Sequence, residues 1–179
     1  MSTEAMHAQL RCGLQQLGAD RHPHSGRSLL DHLVGTAELL SNWGCAAHVC
    51  AAGMYHSIYG TNGFSTACQG RDQREVIVSL IGERAERLVY LFALSERPVA
   101  FFEAVGSGYL SSRFDGSQHP VALDELRELI AIECANLIEQ HGQPELVEVL
   151  LALPDAQRSA LLDGNVIDGI ERSNGGSNA

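Results

Sequence analysis

Apolar residues recur at three- and four-residue spacing along most of the chain, and alternating runs bounded by turns are scarce. That pattern predicts an all-α fold in which strands are not needed. A first amphipathic helix is expected over residues 3–17, stopped by Gly18, and "GADRHPHSG" then reads as a polar loop with two histidines. The next helix runs from Arg27 to Trp43. It sets Leu29, His32, Leu33, Thr36, Leu39, Leu40 and Trp43 on one face and ends at Gly44. Another follows from Ala46 to Tyr59, with Val49, Ala52, Gly53 and His56 inward and its small residues allowing a neighbour to approach closely.

Beyond the Gly-rich loop "GTNGFSTACQGRD", two helical stretches meet at Gly82, and "PVAFFEAVG" opens with a proline suited to a helix start. "SGYLSSRFDGSQHP" is turn-rich. A long helix is expected from Asp124 to His141, then shorter pieces around "PELVEVLLAL" and "PDAQRSALLDG". Without an internal repeat or a dividing linker, residues 1–170 read as one helical domain and 171–179 as a disordered tail.

Composition narrows the function classes. The 179 residues are 45% hydrophobic and 19% charged, which suits one domain with a real core. A net charge of −10 and a pI near 5.1 leave no basic stripe for a phosphate backbone, so a small ligand or protein partner is expected rather than nucleic acid. No apolar run is long enough to span a bilayer, and the N-terminal stretch has no uninterrupted apolar segment of the signal-peptide kind. A cytoplasmic chain without membrane partners is therefore expected. The five scattered cysteines contain no CxxC pair and read as reduced and mostly buried.

Three helices each carry an ionisable residue on the face that should turn inward. His32 lies among Leu29, Leu33 and Thr36; His56 lies among Val49, Ala52 and Gly53; Glu133 lies in the row Leu126, Ile130, Glu133, Leu137. An ionised carboxylate on an apolar face is costly unless paired or bound to a metal, whereas a neutral histidine is accommodated by one or two hydrogen bonds. Two imidazoles and a carboxylate would supply three ligands for zinc, manganese or iron and leave open positions for chemistry. The alternative is two satisfied core histidines, with Glu133 paired to Arg27 or to a histidine. His24 and Arg27 form a basic pair just ahead of His32, placed to meet an anionic substrate or, for Arg27, a surface carboxylate. Tyr59 and Thr61 follow His56 at a helix end, where a phenol can donate a proton or both residues can simply cap and pack.

The run "HSGRSLLDHLVGTAELLSNWGCAAHVCAAGMYHSIYGT", with "LIGERAERLVYLFALSE" after it, resembles the HD superfamily. Its layout is closest to the branch containing the hydrolases of the alarmone guanosine tetraphosphate, and more specifically to an HD-like group marked by "HSIYGT". The resemblance spans roughly residues 20–140. It implies a helical bundle, makes His32 and His56 metal ligands, and matches Thr61 to a threonine of the pattern. In "IECANL", Asn136 falls at the pattern's asparagine and Glu133 within one residue of its aspartate ligand. Ser57 stands where the pattern has its second ligand, an aspartate, and Tyr59-Gly60 where it has an acidic pair that positions water.

The resemblance implies a metal-dependent hydrolase of a phosphoester or another small anionic molecule, at a mononuclear site holding a divalent metal on His32, His56 and Glu133. Tyr59 and His24 are then the candidate catalytic groups, and Arg27, Ser57, Thr61 and Asn136 the substrate-side residues. Two alternatives stay open: a two-histidine, one-carboxylate iron oxygenase, and a degenerate metal-free module that binds a ligand or partner. The apolar stretch "YLFALSERPVAFFEAV" can line a pocket or join two copies of the chain as a homodimer.

Overall fold

The computed structural model describes residues 3–24, 26–140 and 144–175, with side chains for 7–23, 26–140 and 146–173. Among these, the helices are α1 (Thr3–Gln16), α2 (Leu29–Asn42), α3 (Ala47–Tyr55), α4 (Arg74–Ile81), α5 (Glu83–Leu94), α6 (Val99–Ser107), α7 (Leu123–Glu139), α8 (Pro144–Ala152), α9 (Asp155–Leu161) and α10 (Gly164–Gly175). The fold is mostly helical, as the spacing predicts. None of the described helices is long and apolar enough to cross a membrane.

Two small antiparallel hairpins depart from the purely helical expectation. β1 (Pro23–His24) pairs with β2 (Arg27–Ser28), and β3 (Tyr109–Ser111) with β4 (Gln118–Pro120). The first falls in the loop before α2, so the helix begins two residues later than Arg27. Ser28 caps it by accepting a 3.1 Å hydrogen bond from the Asp31 amide. The last helix, too, runs past residue 170, where the tail is expected to begin; residues 176–179 lie outside those described.

α2 is the centre of the bundle. It packs on α3 and α7, and α3 in turn packs on α5. The close approach of α2 and α3 depends on Gly53, where a Cβ would collide with the Leu40 side chain. Buried apolar residues from Leu10 to Ile170 form one cluster, and Tyr55 ties α1 to α3 by donating a 2.8 Å hydrogen bond to the Leu10 carbonyl.

The helix expected to reach Tyr59 stops at Tyr55. Residues 56–59 tighten into turns instead: the Ile58 amide bonds the Tyr55 carbonyl and the Gly60 amide bonds that of Ser57, both at 2.9 Å. Gly60 then takes φ 73°, a left-handed conformation that a residue without Cβ adopts at little cost. His56 therefore sits at the C-terminal cap of α3, beside the core of α2.

Candidate functional site

His32 on α2 and His56 at the end of α3 are 0% and 1% exposed, and their Nε2 atoms stand 3.2 Å apart. The rings meet nearly edge to face, at 87° with centroids 5.1 Å apart, and Phe92 of α5 also meets the His56 ring edge to face, at 75° with centroids 5.3 Å apart. The expectation that two inward helix faces bring these rings together is met.

Both Nδ1 atoms are committed. His56 Nδ1 lies 2.6 Å from the Gly53 carbonyl, which can only accept, so this nitrogen carries the proton. His32 Nδ1 lies against the Glu139 carboxylate, whose other oxygen pairs with Arg27. Gly35, one turn along α2, leaves room for that carboxylate, since a Cβ there would run into Glu139 Oε1. With its ring proton on Nδ1, His56 turns a lone pair on Nε2 toward His32 Nε2, and two ring nitrogens 3.2 Å apart attract only when a proton or a cation lies between them.

α7 supplies the rest of the surroundings. Asn136 Oδ1 is 3.1 Å from His32 Nε2, and Gln140 donates to that oxygen at 2.8 Å while its amide also stands 3.3 Å from His32 Nε2. Asn136 Nδ2 donates to Glu133 Oε2 at 3.2 Å, which fixes the amide with its oxygen toward the histidines. Asn136 thus belongs to the site.

Glu133 is 4% exposed and is linked to His32 by way of Asn136. Its charge is met by Arg97, just after α5, whose guanidinium bonds Glu133 Oε2, lies 3.9 Å over the Phe92 ring and donates to Asn62 Oδ1 at 2.7 Å. Burial holds the Arg97 guanidinium below the usual arginine range, with the Glu133 carboxylate opposing the shift. The buried carboxylate needs a partner, as its position on an apolar face requires. That partner is Arg97 rather than Arg27 or a histidine.

The remaining candidates are dispersed. Arg27 donates to the Glu139 carbonyl at 3.0 Å besides pairing with its carboxylate, which is the surface ion pair rather than a free substrate contact. His24 contributes backbone to β1, and its side chain lies outside the described residues. Ser57 is buried in the turn after His56. Thr61 Oγ1 accepts from the Phe64 amide at 3.0 Å and shapes the loop. Tyr59 donates to Glu86 Oε1 at 2.9 Å, and Arg74 holds both oxygens of that carboxylate at 2.7 and 2.5 Å. Burial first, then the Glu86 contact, pushes the Tyr59 phenol far above its ordinary range.

Glu139, Gln140 and Arg97 escape a reading by apolar periodicity. Glu139 and Gln140 do follow Asn136 by three and four residues, the spacing that shares a helix face. Arg97, between α5 and Pro98, carries no such signal.

Among the described residues, no three or more His, Cys, Asp and Glu side chains are grouped so that they could hold a metal ion. The donor set that does converge is two imidazole nitrogens and one amide oxygen. A 3.2 Å separation lets both nitrogens reach one ion at about 2.0–2.1 Å, and a carboxylate on the outer nitrogen is the usual support of a metal-bound histidine.

A family model described as a domain of unknown function (DUF6817) matches residues 13–97, short of half of the chain. The chain is similar to that family through His32, His56 and the turn after it, up to Arg97, whereas Glu133, Asn136 and Glu139 lie beyond the match. No curated protein and no solved structure matches the chain.

Proposed function

We propose that the chain is an HD-type helical domain that binds one divalent metal ion between His32 and His56, and that it hydrolyses a small anionic molecule, a phosphoester above all. The observation that carries this reading is the pair of Nε2 atoms facing at 3.2 Å with both Nδ1 atoms anchored from behind. In such a pair the outer hydrogen bonds orient the rings before any ion arrives. Asn136 Oδ1 takes the third position that Glu133 fills in the expected ligand set, and Glu133 and Gln140 hold the Asn136 amide in place. A bound metal supplies hydroxide at neutral pH and polarises a phosphoryl oxygen. With Ser57 in the aspartate's place, the site is mononuclear.

The test is metal content. Protein purified without chelator and then titrated calorimetrically with manganese, iron under anaerobic conditions, or zinc is expected to take up one ion per chain. His56→Ala should lose that ion while circular dichroism keeps the helical signal. Failure to take up any of the three metals would sink the reading.

A second reading has its own support. Arg97 neutralises Glu133, the carboxylate of α7 that accepts from Asn136, as expected of an HD module that has given up its metal. The histidine pair would then share a proton and brace α2 against α3, and the domain would serve by binding a ligand or partner. Absence of metal uptake together with marked destabilisation in His56→Ala favours this alternative.

A further inference from the structure

We infer that the cleft between the Gly-rich loop after α3 and the β3–β4 hairpin binds a small phosphate-bearing anion through Arg71 and Arg113. The cleft has a volume of about 380 Å³, within the range of small-molecule sites, and its lining includes Tyr59, Ser65, Gln69, Arg71, Arg113 and Phe114. Among the described residues, no carboxylate lines it. Both guanidiniums lie over the ring of Phe114, with Cζ 3.3 Å from the centroid for Arg71 and 4.1 Å for Arg113.

With 22 acidic against 12 basic residues, carboxylates are plentiful, and Arg27, Arg74, Arg84, Arg87 and Arg97 each hold one. Arg71 and Arg113 have no ion-pair partner among the described residues. Arg113 is nonetheless fixed: its Nε donates to the Ala93 carbonyl at 2.9 Å and its amide to that of Leu94 at 2.8 Å, so its two terminal nitrogens make no hydrogen bond within the described fold. Burial holds its guanidinium below the usual range; the Glu96 carboxylate opposes the shift, and the charges of Arg71 and Arg97 add to it.

Two like charges gathered on one ring, one of them anchored, are relieved by an anion from solution. Guanidinium forks match phosphate oxygens in pairs, Ser65 and Gln69 add neutral polar groups, and the half-exposed Phe114 offers a flat apolar wall for the rest of the ligand. Neither His32 nor His56 lines this cleft, and binding there does not depend on a metal between them.

Calorimetric titration of the full chain with inorganic pyrophosphate, in low salt with EDTA present, tests it. Saturable binding is expected, weakened at least tenfold in Arg71→Met and in Arg113→Met and unchanged in Arg84→Met. Arg71→Met breaks no hydrogen bond of the described fold, so it decides the matter even if Arg113→Met fails to fold. Absence of saturable binding, binding indifferent to Arg71→Met, an equal loss in Arg84→Met, or tighter binding of malonate than of pyrophosphate would each overturn the inference.

Discussion

Arg97 and Glu133 form an ion pair inside the bundle, with side chains only 5% and 6% exposed. The pair joins the end of α5 to the middle of α7 and sets the orientation of Asn136 beside the histidines. A buried pair of this kind need not stabilise the fold overall, since desolvation opposes attraction, yet removing one partner strands the other.

Glu133→Gln is therefore expected to destabilise the chain by about 3–5 kcal/mol, because the Arg97 charge is left buried without a counterion. The double replacement Arg97→Met with Glu133→Leu should recover most of that loss. Urea unfolding of both variants against the parent checks this. A neutral or stabilising Glu133→Gln would mean that Arg97 does not depend on Glu133, and would return the carboxylate to the list of metal ligands.

The inward faces of α2, α3 and α7 were legible because burial imposes a helical period on apolar residues, and a polar residue in that row stands out. His32, His56 and Glu133 stand out in this way, Asn136 enters through the family resemblance, and all four are buried around one point. Pairing was not legible. Arg97 meets Glu133 from 36 residues away, and Glu139 meets His32 from 107, separations at which local spacing carries no information. The two hairpins were hidden for a different reason: strands of two or three residues are too short for an alternating pattern to register.

Glu139 lies behind His32 and should tune it. In Glu139→Gln the amide keeps the shape but gives up the charge that steadies the imidazole, so metal affinity at the histidine pair should fall about 10–100-fold. Stability should change little by comparison, because the other partner, Arg27, is 38% exposed and can turn to water. Parallel metal titration and urea unfolding separate the two effects. Unchanged metal affinity would show that the Glu139 contact does not act on Nε2.

Stability should decline on the alkaline side beginning near pH 9. Burial pushes the Cys45 thiol up to about 12 and the Cys50 thiol up to about 11, each from an ordinary 9.0. Below pH 9 folded and unfolded chains hold these protons alike, and the contribution is complete. Above it the unfolded chain releases protons that the folded chain keeps, so folding is progressively disfavoured until the folded thiols also ionise. Melting temperatures measured from pH 8 to 11 should fall, and Cys50→Ala should shallow the fall. A variant that retains the full slope would remove Cys50 from the account.

Tyr59 separates a catalytic phenol from a structural one. Its hydroxyl is spent on Glu86, which Arg74 also clamps, and the phenol is held protonated well above its ordinary range. A group so placed does not readily give a proton to a substrate near neutral pH. Tyr59→Phe keeps the ring in the core and deletes one hydrogen bond to a charged acceptor, a change of about 1.5–3 kcal/mol in stability. Glu86 keeps Arg74, so the loss should fall at the lower end. If phosphoester hydrolysis is detected in the parent, its kcat should survive in Tyr59→Phe at temperatures where the variant is folded, and the pH profile should keep its shape. A collapse of kcat with unfolding unchanged would instead place the Tyr59 hydroxyl on the reacting molecule, and would require the Glu86 contact to open during turnover.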